Sequence, residues 1–231
     1  MGEGVLAERL AARGFQVSQR LECPGRSTKF RVYEVASASA RGRQQVREGG
    51  SGGLTVGGGS EYAAKVVSLH CVPESEEDAL RADLQRIRQL AEHPNVMKHH
   101  TAFLEGPSGC GTSMLYLVTP FAADGDMAPL IAGARKAKQD LPQPVILEWA
   151  RQLLGGLEHL HRHGIVHRGV IPSNILFFEE RRRVCISSPE LPTLLPHRVH
   201  ERGVDLERSA YLAHELVQSL PSGAAADMWA L

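Results

Sequence analysis

The stretch HRGVIPSNIL, residues 167–176, decides how this chain is organised, because the sequence changes character on either side of it. Ahead of it, residues 145–163 carry an apolar stripe at helical spacing, formed by Ile146, Trp149, Ala150, Leu153, Leu157 and Leu160. Behind it, NILFF and RVCIS have the composition of two short strands. Gly155 and Gly156 interrupt the stripe, and we interpret the pair as a site of close packing against another helix. The stretch is therefore predicted to follow a long amphipathic helix and to lead into two strands.

The first half of the chain is predicted to be an antiparallel sheet with one helix. Alternating apolar and polar residues indicate two strands, FQVSQRL and KFRVYEV, and three further segments, EYAAKVVSL, TAFLEG and MLYLVTPF, read as strands of the same sheet. Between the third and fourth strands, Ser75 and Asp78 resemble a capping box, and a helical repeat follows at Leu80, Leu84, Ile87 and Leu90. A sheet followed by helices is the order of a two-lobed α+β protein.

Three segments follow from these patterns. Residues 1–14 are predicted to be a lead-in helix, with Val5, Leu6 and Leu10 on one face and Gly14 at its end. Residues 15–121 form the sheet lobe and residues 122–231 the helical lobe. Residues 36–60, which include GGSGG and GGGS, cannot bury enough apolar surface to fold and are predicted to be a disordered insertion.

Composition narrows the class of partner. Of the 231 residues, 26 are basic and 26 are acidic, so no net field favours nucleic acid or an anionic membrane. Four separated cysteines without a CxxC pair favour a reducing compartment over a disulfide framework or a zinc ribbon. No apolar run approaches the roughly 20 residues that a membrane helix needs. We expect a cytoplasmic protein, with the nucleus as the alternative, and a protein partner.

Several motifs, in the right order, resemble those of the protein kinase superfamily over residues 15–231. They are AAK for the VAIK segment, HPNV for the end of the αC helix, LYLVTPFAADGDM for the hinge, HRGVIPSNIL for the catalytic loop, VCISSPE for the DFG segment, YLAHELV for the APE segment and ADMWAL for the start of the αF helix. The resemblance implies a bilobal fold, with a five-stranded antiparallel N-lobe sheet and αC helix. The C-lobe would be mostly helical and incomplete, because the chain ends within αF. Similarity to the Ser/Thr branch includes features of NIMA-related kinases.

The resemblance also implies a degraded nucleotide site. Lys65 corresponds to the phosphate-anchoring lysine and Asp83 to its αC partner, and the alternative is that the two form a purely structural ion pair. The remaining positions implied to bind nucleotide are Gly25, Val32, Ala63, Thr119 and Ala122. Because Gly25 is the one glycine left of the three in the phosphate-binding loop, we expect weak ATP binding.

The catalytic positions implied by the resemblance have lost their chemistry. Gly169 stands where the proton-accepting aspartate belongs, and Ile171 where a phosphate-contacting lysine belongs. Losing a general base costs typically about 100- to 10,000-fold in rate. Asn174 remains at the second metal-ligand position, but Ser188 replaces the DFG aspartate, which makes Mg²⁺ binding doubtful. Glu190, two positions later, is the acid that could support residual activity.

Other positions are implied to be structural. His167 and Arg168 would brace the loop against Asp227 of αF, and Glu215 corresponds to the APE glutamate, whose usual arginine partner lies beyond residue 231. The histidines at 159, 161, 163 and 167 raise a zinc hypothesis, but i, i+2 spacing on a helix points ligands apart.

Three functions remain open at this stage. The first is a pseudokinase that acts as a scaffold or allosteric binder, supported by the substitutions at Gly169, Ile171 and Ser188. The second is an atypical active Ser/Thr protein kinase that uses Glu190 or a neighbouring acid. The third is a non-functional truncated product, suggested by the end at Leu231. Oligomeric state does not follow from the sequence.

Overall fold

The computed structural model describes residues 3–21, 28–34, 61–69, 74–106, 113–187, 189, 191, 210–218 and 222–231. The predicted insertion at residues 36–60 lies outside the described residues, as do Gly25, Ser188 and Glu190. The described elements confirm the predicted α+β class, with a sheet in the first half and mostly helices in the second.

One antiparallel sheet forms the first half. Its strands are β1 (Phe15–Leu21), β2 (Thr28–Glu34), β3 (Glu61–Ser68), β4 (Thr101–Glu105) and β5 (Met114–Pro120). They lie in the spatial order β1-β2-β3-β5-β4, so β1 and β4 form the two edges and β3 pairs with β5 in the interior of the sheet. All five predicted strands are confirmed, and β5 is buried at five successive residues, 114–118, as expected of a strand that is packed on both faces.

Helix α1 (Glu3–Ala12) covers one face of this sheet. Leu6 and Leu10 are buried in one cluster with Ala64, Val66 and Val118 of the sheet. Val5, predicted to share that face, is exposed instead, because neighbouring helical residues point about 100° apart. The lead-in helix is therefore part of the core of the first half.

Helix α2 (Glu77–Arg88) covers the opposite face, where Leu80 and Leu84 pack on Val67, Leu115 and Leu117. The predicted capping box is wrong. A 3-10 turn at Glu74–Glu76 precedes the helix, and its N-cap, Glu76, makes no side-chain capping bond. Ser75 lies inside that turn and not at the cap.

The second half consists of helices around a small hairpin. These elements are α3 (Met127–Ala137), α4 (Gln143–Arg162), a 3-10 turn (Pro172–Asn174), β6 (Ile175–Phe178), β7 (Arg183–Ile186), α5 (His214–Val217) and α6 (Ala224–Ala230). The predicted stripe of α4 packs on β6 and β7 through Trp149, Leu153, Leu157 and Leu160, whereas Ile146 is exposed near the start of the helix. None of the helices in the described part of the chain has the length and apolar content to cross a membrane.

The two glycines of α4 approach a turn and not another helix. A Cβ added at Gly156 would lie 2.9 Å from the carbonyl oxygen of Asn95 and 3.3 Å from Cδ1 of Ile186. At Gly155 the nearest atom is Cε1 of His93, at 3.8 Å. The predicted close packing thus exists at Gly156, but its partners are the turn after α2 and strand β7.

A buried polar network connects that turn to α4 and β7. Nδ2 of Asn95 donates to Oε1 of Gln152 at 3.0 Å and to the carbonyl oxygen of Val184 at 2.8 Å. The backbone N–H of Val184 donates to the same Gln152 oxygen at 2.9 Å, and that of Ile186 donates to the carbonyl oxygen of Asn95 at 2.8 Å. Because each bond is buried, the network fixes the two halves of the chain against each other.

Candidate functional site

Asp227 on α6 holds the loop that follows α4. Its side chain is buried, with 1% of the residue exposed. Oδ2 accepts a hydrogen bond from the backbone N–H of His167 at 2.8 Å, and Oδ1 accepts one from the backbone N–H of Arg168 at 2.7 Å. The structure thus brings together the three residues of the implied brace, and the carboxylate fixes the backbone of the loop at two successive residues.

His161 is a third contact of Asp227, and the sequence analysis missed it. Nε2 of His161 lies 2.8 Å from Oδ2 of Asp227. From the sequence, His161 entered only the zinc hypothesis. No spacing rule links His161 to Asp227, which lies 66 positions further along the chain. In the structure it ties the last turn of α4 to α6.

His167 is fully buried, and its contacts define its tautomer. Nδ1 accepts from the backbone N–H of Gly169 at 3.2 Å, so the ring proton lies on Nε2, which is 3.0 Å from the carbonyl oxygen of Ser187. The neutral ring therefore joins the loop to the residue after β7. Both ring nitrogens are used in this structural role.

Gly169 lies in the middle of the loop after α4 and contributes only backbone groups to it. Its carbonyl oxygen accepts from Nδ2 of Asn174 at 2.8 Å and from the backbone N–H of Ile171 at 3.0 Å. Asn174 is held in turn, because its own carbonyl accepts from the N–H of Ser187 at 2.8 Å. The position that would require a carboxylate for proton transfer is buried, well ordered by hydrogen bonds and without a side chain.

Lys65, Ala63 and Thr119 lie on the α2 face of the sheet. Ala63 pairs with Thr119, and Lys65 with Leu117, so their side chains share one face. His99, in the loop after α2, is buried close to that face. Burial lowers the pKa of His99 to about 4, with smaller contributions from the positive charges of Lys65 and Arg88. The His99 ring is therefore neutral near pH 7.

Val32 does not lie with these residues. It pairs with Tyr62 and is fully buried in the α1-side cluster with Ala64 and Val66, which point away from the Ala63 and Lys65 face. A nucleotide-contacting side chain would have to point towards Lys65. The structure therefore does not bring Val32 together with Lys65, and the role of Val32 in nucleotide contact stays a prediction.

The remaining predicted positions are scattered or lie outside the described residues. Asp83 is on α2, with Oδ1 4.0 Å from NH1 of Arg86, and its pairing with Lys65 stays a prediction. Ala122 follows β5 and is half-buried. Glu215 is on α5, where Oε2 lies 4.0 Å from Nδ1 of its neighbour His214. The predicted roles of Gly25 and Ser188 fall on residues that the structure does not describe.

The segment after β7 returns towards the first half of the chain. Pro189 is buried, and Leu191 belongs to the α2-side cluster with Leu80 and Leu84. The site therefore sits where the loop after α4, the end of β7 and the α2 face of the sheet converge.

The other histidines of the zinc hypothesis have separate contacts. The ring of His159 stacks on that of His93, with centroids 4.9 Å apart, and its Nε2 lies 2.9 Å from the carbonyl oxygen of Ala91. Nδ1 of His163 lies 2.8 Å from the carbonyl oxygen of His159. Within the described ranges no group of three or more His, Cys, Asp or Glu side chains could hold a metal ion.

Comparisons with known proteins agree with one another. The family model described as "Protein kinase domain" matches residues 50–231. Human serine/threonine-protein kinase Nek2 is 23% identical over 214 residues, which cover 90% of this chain and 45% of that relative. Serine/threonine-protein kinase fray1 of Dictyostelium discoideum is 25% identical over 205 residues, which cover 73% of this chain and 34% of that relative. The chain spans less than half the length of these curated relatives.

Proposed function

Because this chain belongs to the protein kinase family, we propose that it keeps the family's frame and acts as a pseudokinase, a scaffold or allosteric binder of another protein. The observation that carries this proposal is Gly169. At the position where phosphoryl transfer needs a proton-accepting carboxylate, the chain has buried backbone bonded to Asn174 and Ile171. A scaffold needs the frame to persist, and the loop is held firmly without that carboxylate.

Asp227 is a poor replacement for the missing base. Its two oxygens already accept from His167 and Arg168, and breaking these bonds would leave two buried N–H groups unpaired. An unpaired buried donor costs about 1–3 kcal/mol, so recruiting Asp227 for proton transfer would release the loop. This cost supports binding over catalysis.

Members of the protein kinase family use ATP with Mg²⁺, but the metal fits this site badly. Mg²⁺ prefers anionic oxygen ligands, whereas Asn174 offers a neutral amide oxygen and Ser188 a hydroxyl. Lys65, on the α2 face, supports contact with phosphate groups. We therefore propose weak ATP binding with little dependence on Mg²⁺, and a protein partner in the cytoplasm.

Phosphate transfer is the decisive measurement. The purified chain is incubated with radiolabelled ATP, Mg²⁺ or Mn²⁺ and myelin basic protein, beside Lys65→Met as the matched control. We expect incorporation by the parent no greater than by Lys65→Met. Incorporation that the substitution abolishes would overturn the proposal in favour of an atypical active kinase, whereas equal incorporation in both samples indicates a contaminating kinase.

Nucleotide binding is measured separately by calorimetry. ATP is titrated into the parent and into Lys65→Met, with Mg²⁺ and with a chelator. We expect weak binding that the chelator changes little and that Lys65→Met reduces, since the lysine charge remains while the metal carboxylates are gone. Submicromolar affinity that collapses on chelation would contradict the proposed loss of the metal site.

A further inference from the structure

Three histidine rings form a stack where the turn after α2 meets the end of α4. The ring of His93, in the turn, lies against that of His159, with centroids 4.9 Å apart and 24° between the planes. The ring of His163, at the C-cap of α4, follows with its centroid 4.5 Å from that of His159. His163 is exposed, and the other two residues are half-buried. We call residues 93–96 the junction turn, because this turn carries the Asn95 contacts that join the two halves of the chain.

The three rings make hydrogen bonds of two kinds. Nδ1 of His93 accepts from the backbone N–H of Asn95 at 3.2 Å, so the neutral ring carries its proton on Nε2. The other two rings donate, because a carbonyl oxygen only accepts. Nε2 of His159 donates to Ala91 at 2.9 Å, and Nδ1 of His163 donates to the carbonyl oxygen of His159 at 2.8 Å. Since a doubly protonated ring has two donors and no acceptor, protonation removes only the bond at His93.

The bond at His93 closes the junction turn. The backbone N–H of Val96 donates to the carbonyl oxygen of His93 at 3.2 Å, beside the bond from Asn95 to the ring. Asn95 is also the residue whose side chain bonds Gln152 and Val184. Loss of the ring bond would therefore leave a partly buried N–H unpaired at the residue that joins the two halves.

Charged and titratable groups from three elements surround the junction turn within the described ranges. Besides the stacked histidines, they are Glu92 and Lys98 beside the turn, Glu158 and Arg162 on α4, and Arg183 and Cys185 on β7. Glu92 pairs with Lys98, and Glu158 pairs with Arg162. Both β7 side chains bond the carbonyl oxygen of Pro94. Because histidine is the type of side chain here whose ordinary pKa lies between pH 5 and 8, a change of charge in that range falls on the stack.

We propose that His93 is a pH-sensitive switch at the junction of the two halves: its neutral ring holds the junction turn closed, and protonation of the ring opens it. A proton taken from solvent onto Nδ1 would turn the acceptor into a donor that faces the N–H of Asn95, so the bond breaks. The new charge would also lie against the stacked ring of His159. This inference is independent of the proposed loss of catalysis.

The direction of the pH response follows from the pKa of His93. Burial, and then the neighbouring His159, lower this pKa below its ordinary value of 6.5 in the closed turn, and Glu158 opposes them. In the open turn the ring meets water and regains a pKa of about 6.5. Opening therefore takes up a proton. The closed turn keeps its full stability above about pH 6.5 and loses stability as the pH falls towards the lowered pKa.

Hydrogen exchange at the backbone amide of Asn95 measures this opening. The exchange rate of the native chain is determined by NMR at pH 7.5 and pH 5.5, and the protection is the rate of an unprotected amide at the same pH divided by the measured rate. One protonation with a pKa of about 6.5 favours the open turn by up to about tenfold over this interval. We therefore expect the protection of Asn95 to fall several-fold, up to about tenfold, on acidification. Equal protection at the two pH values would overturn the proposal.

His93→Asn is the matched variant. The side-chain oxygen of asparagine accepts from the N–H two residues further on, as in an Asx turn, but it does not titrate. We expect His93→Asn to protect Asn95 equally at both pH values. The control is His214→Asn, which replaces an exposed histidine of α5 and should show the same fall as the parent. A fall in His93→Asn as large as that of the parent overturns the proposal.

Two further measurements separate opening of the junction turn from a loss of overall stability. His99→Leu replaces a second histidine whose pKa is lowered, and we expect it to leave the fall at Asn95 in place. If His99→Leu abolishes that fall, the exchange reports overall acid unfolding and the proposal fails. The ring protons of His93 in the parent are followed by NMR over the same pH range, independently of any variant. We expect an apparent pKa below 6.5, and a value at or above 6.5 contradicts the switch.

Discussion

At the scale of single residues, Gly169 allows a direct test of the proposed loss of catalysis. Gly169→Asp with Ser188→Asp returns both carboxylates, yet we expect no phosphate transfer to myelin basic protein. Ile171 still lacks the lysine charge, and groups that must act together fail when one is missing or displaced. Gly169→Ala serves as the control for placing a side chain in this buried loop. Transfer by the double variant alone would show that the frame is better preserved than we propose.

His99 predicts a particular pH dependence of stability. Its pKa is about 4 in the folded chain and near 6.5 when unfolded, so between these values the unfolded chain binds more protons. Its contribution to stability is present above about pH 6.5 and is lost as pH falls towards 4, at up to about 1.4 kcal/mol per pH unit. We expect His99→Leu to lose less stability than the parent in this window, measured by urea denaturation at several pH values.

The matched control is His214→Leu, because His214 is an exposed histidine on α5. It should leave the slope of stability against pH close to that of the parent. If the parent and His99→Leu respond in parallel between pH 6.5 and 4, burial of His99 does not determine the acid sensitivity.

Residues differ in how far sequence alone could place them. Gly169 and Asp227 belong to motifs whose order was recognisable. In the structure Gly169 lies in the loop after α4, and Asp227 accepts a hydrogen bond from Arg168 of the same loop. The face on which Val32 lies could not be predicted, because a shift of one residue in strand register exchanges the two faces of a strand. The pairing of β2 with β3 sets that register, and local sequence does not specify it.

At the scale of elements, the adjacent glycines of α4 make a matched pair. Gly156→Ala places a Cβ 2.9 Å from the carbonyl oxygen of Asn95, within the network that joins α4 to β7. Gly155→Ala meets nothing nearer than 3.8 Å and gains up to about 1 kcal/mol of helix propensity. We expect Gly156→Ala to destabilise the fold and Gly155→Ala to stabilise it, compared by urea denaturation. Equal effects would mean that the turn at Asn95 moves away freely.

Elements with strong periodicity were predictable, and those with weak periodicity were not. The five strands, marked by alternation or by a short apolar run, were found. Helix α3 was not predicted separately, because none of its residues is fully buried and it therefore lacks a strong apolar stripe. Its clearest signal was Asp126, whose Oδ1 accepts from the backbone N–H of Ala128 at 3.0 Å. Gln152 could have been suspected as a buried network residue, because it interrupts an otherwise apolar face of α4.

At the scale of the whole molecule, the two halves are joined by contacts distant in sequence. Asn95 bonds Gln152 and Val184, and Leu191 returns to the cluster under α2. Such pairings depend on how the elements assemble, so the sequence predicted the elements but not their junction. The junction positions the loop around Gly169 against the sheet.

The segment between β2 and β3 tests whether the fold depends on its insertion. Tyr33 of β2 pairs directly with Glu61 of β3, so a short turn can replace residues 36–60 without moving either strand. Loop closure costs only about 0.6 kcal/mol for each doubling of length, and the removed sequence is poor in apolar residues. We expect a four-residue Gly/Ser turn to leave the melting temperature unchanged or slightly raised. Loss of the cooperative transition would show that the segment packs on the sheet, whereas a scrambled insertion of equal length should match the parent if length alone matters.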